Sequence, residues 1–387
     1  MKILHITPEV PGRKSGGQIC VLQSTEMLCS DKNNTIDYIG PAIDDKKIRE
    51  FYTTIYELQA STSWIGIIVT LSHLVLNKRY ISWKKLSKQL DFSRYDIVYL
   101  EFTKLHYVVK DIHRRAPKTK IIVRSHNVEL DYASYEYHTH RTLIKFIIIS
   151  IVKAHEKYIL HNVNQVITLT HDDKRRLCDV YHISKDCIDV VPICIDEPMS
   201  TKCGPGHIDG KTHFLITGSL WYGANVEGIY WMFSEVLSSI TETYALTIAG
   251  SRPNEKMRHL CNAHNITLID TPDSMSDYLE WCDMVIVPIF GGSGMKVKIA
   301  EAMSYCKPVI TTSYGAIGYD IQHGVNGFIA DDAKTFAKSM TEYILMSPNE
   351  KEKIMCSAKA LFSEKYETSR GALKLAEIIN AMKGTEE

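Results

Sequence analysis

The sequence predicts an α/β protein made of two doubly wound, Rossmann-like domains facing across a cleft. Three observations lead there. The chain has 387 residues, which at roughly 100 to 200 residues per domain makes about two domains. Short β-branched runs alternate with longer stretches of helical period, the signature of parallel strands joined by crossover helices. Over residues 196–207 (Asp196-Glu197-Pro198-Met199-Ser200-Thr201-Lys202-Cys203-Gly204-Pro205-Gly206-His207), proline, glycine and polar residues crowd together and no apolar period survives. A boundary there gives an N-terminal domain over 1–198, a C-terminal domain over 199–370 and a tail over 371–387.

In the first domain the expected strands, in order, are 2–7, 97–101, 120–124 and 165–170, with 189–192 as a further candidate. In the second they are 212–218, 244–249, 267–269, 284–288, 308–312 and 327–329. The stretch 368–382 has the period of an amphipathic helix and is expected to pack back on the first domain. Ligands of doubly wound sheets bind outside the carboxyl ends of the strands, so the cleft is the expected site.

Charge and cysteine usage narrow the function. Lys plus Arg (45) equals Asp plus Glu (45), so no whole-chain field holds a polyanion, and dedicated nucleic-acid binding is excluded. The ten cysteines form no Cys-x-x-Cys pair, which fits reduced thiols in a cytoplasmic protein and argues against a zinc site. The amino terminus enters an apolar strand directly and lacks a signal-peptide pattern. Two apolar runs, 64–76 and 146–152, are too short to span a bilayer. Trp64, Ile67, Ile68, Leu71, Leu74 and Val75 recur at helical spacing, followed by Lys78, Arg79, Lys84, Lys85 and Lys88 with Tyr80 and Trp83 among them. That pattern suits attachment to an anionic membrane surface, or equally a core-facing helix with a solvated basic tail.

The most informative segment is Val285-Ile286-Val287-Pro288-Ile289-Phe290-Gly291-Gly292-Ser293-Gly294-Met295-Lys296-Val297-Lys298-Ile299-Ala300-Glu301. A buried strand leads through a glycine-rich turn into a helix, whose free amides offer an anion site. Lys296 and Lys298 add cationic charge, and Glu301 can accept bonds from sugar hydroxyls. In the first domain, Pro11-Gly12-Arg13-Lys14-Ser15-Gly16-Gly17-Gln18 follows the first strand. Arg124-Ser125-His126-Asn127-Val128-Glu129 ends another.

These segments resemble those of GT-B nucleotide-sugar glycosyltransferases, in the family-four-like retaining branch (glycosyl transferases group 1). Phe214-Leu215-Ile216-Thr217-Gly218-Ser219-Leu220-Trp221-Tyr222-Gly223-Ala224-Asn225-Val226-Glu227-Gly228 is similar to the opening of that family's C-terminal domain. Tyr278-Leu279-Glu280-Trp281-Cys282-Asp283, Gly315-Ala316-Ile317-Gly318 and Asn326-Gly327-Phe328 resemble later motifs in the family's order. The resemblance implies a GT-B fold and transfer of a sugar, with retention of configuration, from a nucleotide-diphosphate sugar to a glycan or lipid-linked acceptor. It implies no cofactor, and the lack of an Asp-x-Asp pair beside the donor loop points to no metal. Implied donor-binding positions are Gly218, Ser219, Asn225, Arg252, Gly292, Ser293, Gly294, Met295, Lys296, Lys298 and Glu301. Gly16, Gly17, Gln18, Arg124, Asn127 and Glu129 fall on the acceptor side, and His126, Lys298 and Glu301 carry the catalytic roles.

The family pattern is not complete. Many relatives carry two glutamates eight positions apart in the donor loop; Glu301 matches the second, and Ser293 replaces the first. Ser219 and Ala224 stand where an Arg and a Lys often clamp the diphosphate, leaving Lys296, Lys298 or Arg252 as substitutes. Cys306 stands where glycine is common. These departures keep open a catalytically inactive GT-B subunit acting as a scaffold. A nicotinamide oxidoreductase is disfavoured because the first glycine loop lacks Gly-x-Gly-x-x-Gly spacing.

Overall fold

The computed structural model describes residues 1–13, 15–61, 77–139, 143–198, 209–292 and 294–383. The chain divides into two compact units: Met1–Pro192 together with Gly371–Glu387, and Ile193–Arg370. The division falls ahead of the boundary expected at 198 because Ile195 already belongs to the second unit. Its N–H donates to Tyr366 O at 2.9 Å, and its carbonyl accepts from Thr368 N at 3.1 Å.

The first unit holds a parallel sheet ordered β3-β2-β1-β4-β5-β6-β7. Its strands are β1 (Lys2–Ile6), β2 (Thr35–Gly40), β3 (Thr54–Glu57), β4 (Ile97–Glu101), β5 (Lys120–Ser125), β6 (Gln165–Thr168) and β7 (Ile188–Val190). The central strands read as near-continuous apolar runs because helices cover both faces. β4 is buried along its whole length, and β1 pairs with β2 on one side and β4 on the other. β2 and β3 were not anticipated. β2 carries Asp37 in its interior, which is buried because Tyr95 Oη donates to it at 2.7 Å and Arg94 pairs with it at 3.1 Å. β3 is a half-exposed edge strand. The terminal helix Thr368–Lys383 places Ala372, Leu375, Ile378 and Ile379 in the core of this unit, with Ile3, Ile36, Ile97 and Ile122.

The second unit repeats the architecture in the order β10-β9-β8-β11-β12-β13. Here β8 is Thr212–Thr217, β9 Tyr244–Gly250, β10 Thr267–Asp270, β11 Met284–Val287, β12 Val309–Thr311 and β13 Gly327–Ile329. All pairings in both sheets are parallel. Both sheets reverse direction of winding once, between β1 and β4 and between β8 and β11. Those switch points are where such folds bind ligands.

The two aromatic residues of the basic patch face the core. Tyr80 and Trp83, on the helix Tyr80–Ser87, are buried, and Trp83 Nε1 donates to Asp111 Oδ2 at 2.9 Å. Lys84 pairs with the same carboxylate at 3.3 Å. Lys78, Lys85 and Lys88 remain exposed. The apolar half of the patch, Trp64 to Val75, lies outside the described residues.

Candidate functional site

At the switch point of the second unit, β8 is followed by Gly218, whose φ of 136° only glycine adopts readily. A Cβ there would lie 2.8 Å from Lys298 Nζ and 2.9 Å from Asn225 Nδ2. Lys298 comes from the second position of the helix Val297–Ser304 and reaches across to this loop. Its ammonium donates to Thr217 O at 2.7 Å and Asn225 Oδ1 at 2.9 Å, while Asn225 Nδ2 donates to Ser219 O at 2.9 Å. Burial pulls its pKa down to about 8, and Glu301, half-buried a turn further along the same helix, favours the charged form. The Lys298 ammonium thus lies beside the loop that carries Ser219.

The other implied donor residues divide. Gly292, at φ 107°, and Gly294, at φ 69°, shape the loop. Tyr319 Oη donates to Lys296 O at 2.8 Å, and Tyr314 Oη donates to Gly292 O. Met295 is buried and its sulfur accepts from Ile193 N at 3.3 Å. Lys296 folds its ammonium back onto Gly294 O at 2.6 Å. Arg252, in a left-handed conformation at φ 57°, stacks on the half-exposed Trp221 with 4.4 Å from guanidinium carbon to ring centroid. Ser293 lies outside the described residues.

In the first unit, Gly16 and Gly17 open the helix Gly16–Cys29, capped by Ser15. Glu9 packs its carboxylate against Gly17, so a Cβ there would sit 2.4 Å from Glu9 Oε2 and turn that side chain aside. Gln18 turns back over the loop, its carbonyl accepting from Gly12 N at 3.2 Å. His126 follows β5, 3% exposed, with Phe102 stacked on it at a centroid distance of 3.9 Å. Its Nε2 bonds Glu101 Oε2. Asn127 is half-buried, and its carbonyl accepts from Ser125 Oγ at 2.6 Å. Glu129 pairs with Lys104 at 3.0 Å, and burial raises its pKa against the pull of that lysine.

Arg124 does not sit on an acceptor face. It is fully buried, donating to Ser24 Oγ at 2.6 Å, Gln23 Oε1 at 3.2 Å and Pro192 O at 3.3 Å. Successive side chains of a strand point to opposite faces, and that of Arg124, one before the end of β5, points under the first helix. Arg124 therefore clamps that helix to the end of the unit.

Residues 211–345 match the family model described as Glycosyl transferases group 1. A protein of Klebsiella pneumoniae described as an uncharacterized 44.6 kDa protein in the cps region is 22% identical, over 95% of this chain and 97% of its own length. The sucrose-phosphate synthase of Thermosynechococcus elongatus superposes with a TM-score of 0.75 at 14% identity, covering 100% of both chains. Anabaena HepE, solved in complex with UDP and glucose, superposes with a TM-score of 0.68 at 12% identity, covering 98% of this chain and 100% of its own. Residues 211–345 are thus similar to the group 1 glycosyl transferases, and the chain has the GT-B fold of these structures.

Local backbone geometry accounts for Cys306. The helix Val297–Ser304 ends in a Schellman motif, with Cys306 N–H bonding Met303 O at 3.0 Å and Lys307 N–H bonding Ala302 O at 2.9 Å. The motif needs a left-handed residue, and Cys306 takes it at φ 58°, where glycine is the usual choice. Sequence reasoning missed Glu101, His5, Lys104 and Glu9 around His126, because no local motif links positions so far apart in the chain.

Proposed function

We propose that the protein is a retaining glycosyltransferase that moves a sugar from a nucleoside-diphosphate sugar to a glycan or lipid-linked acceptor in surface-polysaccharide assembly. The observation that carries this reading is Lys298, an ammonium held beside Gly218 and Ser219 by two neutral acceptors. It offers charge to a leaving diphosphate where the family's usual cations are missing. The amides that open the helix Val297–Ser304 supply donors to the same anion. Glu301 is assigned to the nucleoside ribose. The relative in a capsule region and the UDP bound by HepE support the pathway class and the donor class.

In this mechanism the departing phosphate takes the acceptor proton on the face it leaves, so no protein nucleophile is required and no metal is invoked. His126 contributes a hydroxyl-recognising ring in the first unit. Thermal-shift measurement against UDP, GDP, ADP and their sugars tests the reading. A saturating nucleotide at 100 times its dissociation constant adds about 2.7 kcal/mol. Lys298→Ala is expected to lose most of that shift, and an undiminished shift places the phosphate elsewhere.

The second reading, an inactive GT-B scaffold, draws on Ser219, Ala224 and Ser293 at family positions. Partner capture without donor turnover would favour it. Attachment to the cytoplasmic membrane face is part of the proposal. Among the described residues no helix is long and apolar enough to cross a membrane. The helix Leu143–His161 does expose Phe146 and Ile147, by 57% and 51%. Loss of liposome flotation on replacing both with serine supports peripheral attachment there; unchanged flotation removes this helix from the proposal.

A further inference from the structure

Glu101, the last residue of β4, is fully buried and shared by two histidines. His5 Nε2, from β1, lies 3.0 Å from Oε1, and His126 Nε2, beyond β5, meets Oε2. Burial alone would keep this carboxyl protonated, but the two histidines outweigh it and hold Glu101 well below the usual carboxylate range. An ionised carboxylate only accepts, so both Nε2 atoms carry their hydrogens toward it. The far side of the His5 ring is also accounted for. Its Nδ1 faces Tyr52 Oη at 3.3 Å, and that hydroxyl meets Thr25 Oγ1 at 2.7 Å.

The far side of His126 is not. Its Nδ1 is buried and has no hydrogen-bond partner among the described residues. The charged groups bearing on this ring are Glu101, Arg124 and Glu9, and burial, the largest influence, keeps its pKa below the ordinary histidine value. With Nε2–H committed to Glu101, Nδ1 is a bare lone pair. A second unfilled acceptor lies in the same cluster. Glu129 binds Lys104 through Oε2 at 3.0 Å and leaves Oε1 buried, with no hydrogen-bond partner among the described residues. Lys104 in turn lies over the Phe102 ring that stacks on His126, 5.2 Å from its centroid. Buried acceptors cost free energy until a donor meets them, so the matching ligand is one that brings hydroxyl hydrogens.

We propose that Glu101 is a positioning residue that fixes the His126 tautomer, so that Nδ1 accepts a hydrogen bond from a substrate sugar hydroxyl. The proposal rests on the transferase reading for the identity of the substrate; the tautomer does not.

The test is a long-range proton–nitrogen spectrum of the full chain labelled with 15N-histidine, with His126 assigned by its loss in His126→Gln. At pH 7 wild-type His126 is expected to show a protonated Nε2 and a bare Nδ1. Glu101→Gln, whose amide can donate as well as accept, is expected to give the other tautomer or a mixture. It also lowers kcat about 100-fold with the donor KM unchanged. A wild-type His126 protonated on Nδ1 overturns the proposal, with no variant needed. An unchanged tautomer in a folded Glu101→Gln protein overturns it too. Wild-type turnover in His126→Gln overturns the substrate half. Absence of any UDP thermal shift in the wild type would instead sink the transferase reading and leave the tautomer result standing.

Discussion

Replacing Lys298 by alanine is expected to abolish a pH dependence that the intact protein shows when it binds a nucleoside diphosphate. Burial lowers this ammonium from 10.5 to about 8 in the free protein. A diphosphate beside it favours the charged form and returns its pKa toward the ordinary value. Near pH 7 the ammonium is already formed and binding gains nothing from further acidity. By pH 9 about nine-tenths of the free sites are neutral, so affinity for UDP falls about tenfold between pH 7 and 9. At pH 8 each binding event takes up about half a proton. The nucleotide's terminal phosphate, with its last ionisation near pH 6, is about nine-tenths ionised at pH 7 and more so above it, so it contributes little to this window. The same shift acts on folding with a definite sign. The unfolded chain holds more protons than the folded one between the two pKa values, so stability of the free protein rises with pH from about 8 to 10.5. Calorimetric titration with UDP at pH 7, 8 and 9, in two buffers of different ionisation enthalpy, reads both affinity and proton uptake. Affinity flat from pH 7 to 9 in the wild type, or equal proton uptake in Lys298→Ala, refutes the reasoning.

Three further outcomes follow from the geometry. Glu301→Ala is expected to weaken UDP by about 1.5 to 3 kcal/mol, the range for hydrogen bonds to a charged group. If it grips the ribose, 2′-deoxy-UDP and Glu301→Ala lose the same interaction, and their penalties in titration calorimetry do not add. Dialysis against EDTA is expected to leave both the UDP thermal shift and transfer unchanged, with loss of either marking a metal requirement. Gly228→Ala would push a Cβ to 1.7 Å from Pro288 O. The backbone must shift, and chemical denaturation is expected to show a loss of at least about 1 to 3 kcal/mol.

The central strands were legible because burial on both faces writes an apolar run into the local sequence, as in β4 and β11. β2 was not, because its buried Asp37 looks like a loop residue until Arg94 and Tyr95 arrive from more than 50 positions away. The donor loop was readable from its glycines and lysines, but only the fold shows that Lys298 turns toward β8 while Lys296 turns into its own loop. Tyr80 and Trp83 were not placed by sequence, because an aromatic beside lysines reads the same whether it faces lipid or core; their burial, with Trp83 bonded to Asp111, puts these two in the core. His126 could be named from its neighbours in sequence. Its partner Glu101 lies 25 residues away, and the second histidine on that carboxylate a further 96 from it, and only the sheet order β1-β4-β5 brings the three together.

The most direct test is a crystal structure of the protein soaked with UDP. The account predicts pyrophosphate density against the amides that open the helix Val297–Ser304 and within hydrogen-bond reach of Lys298 Nζ, with Glu301 on the ribose. Nucleotide density on another face, with Lys298 still bonded to Thr217 O and Asn225 Oδ1 and no anion beside it, would contradict it.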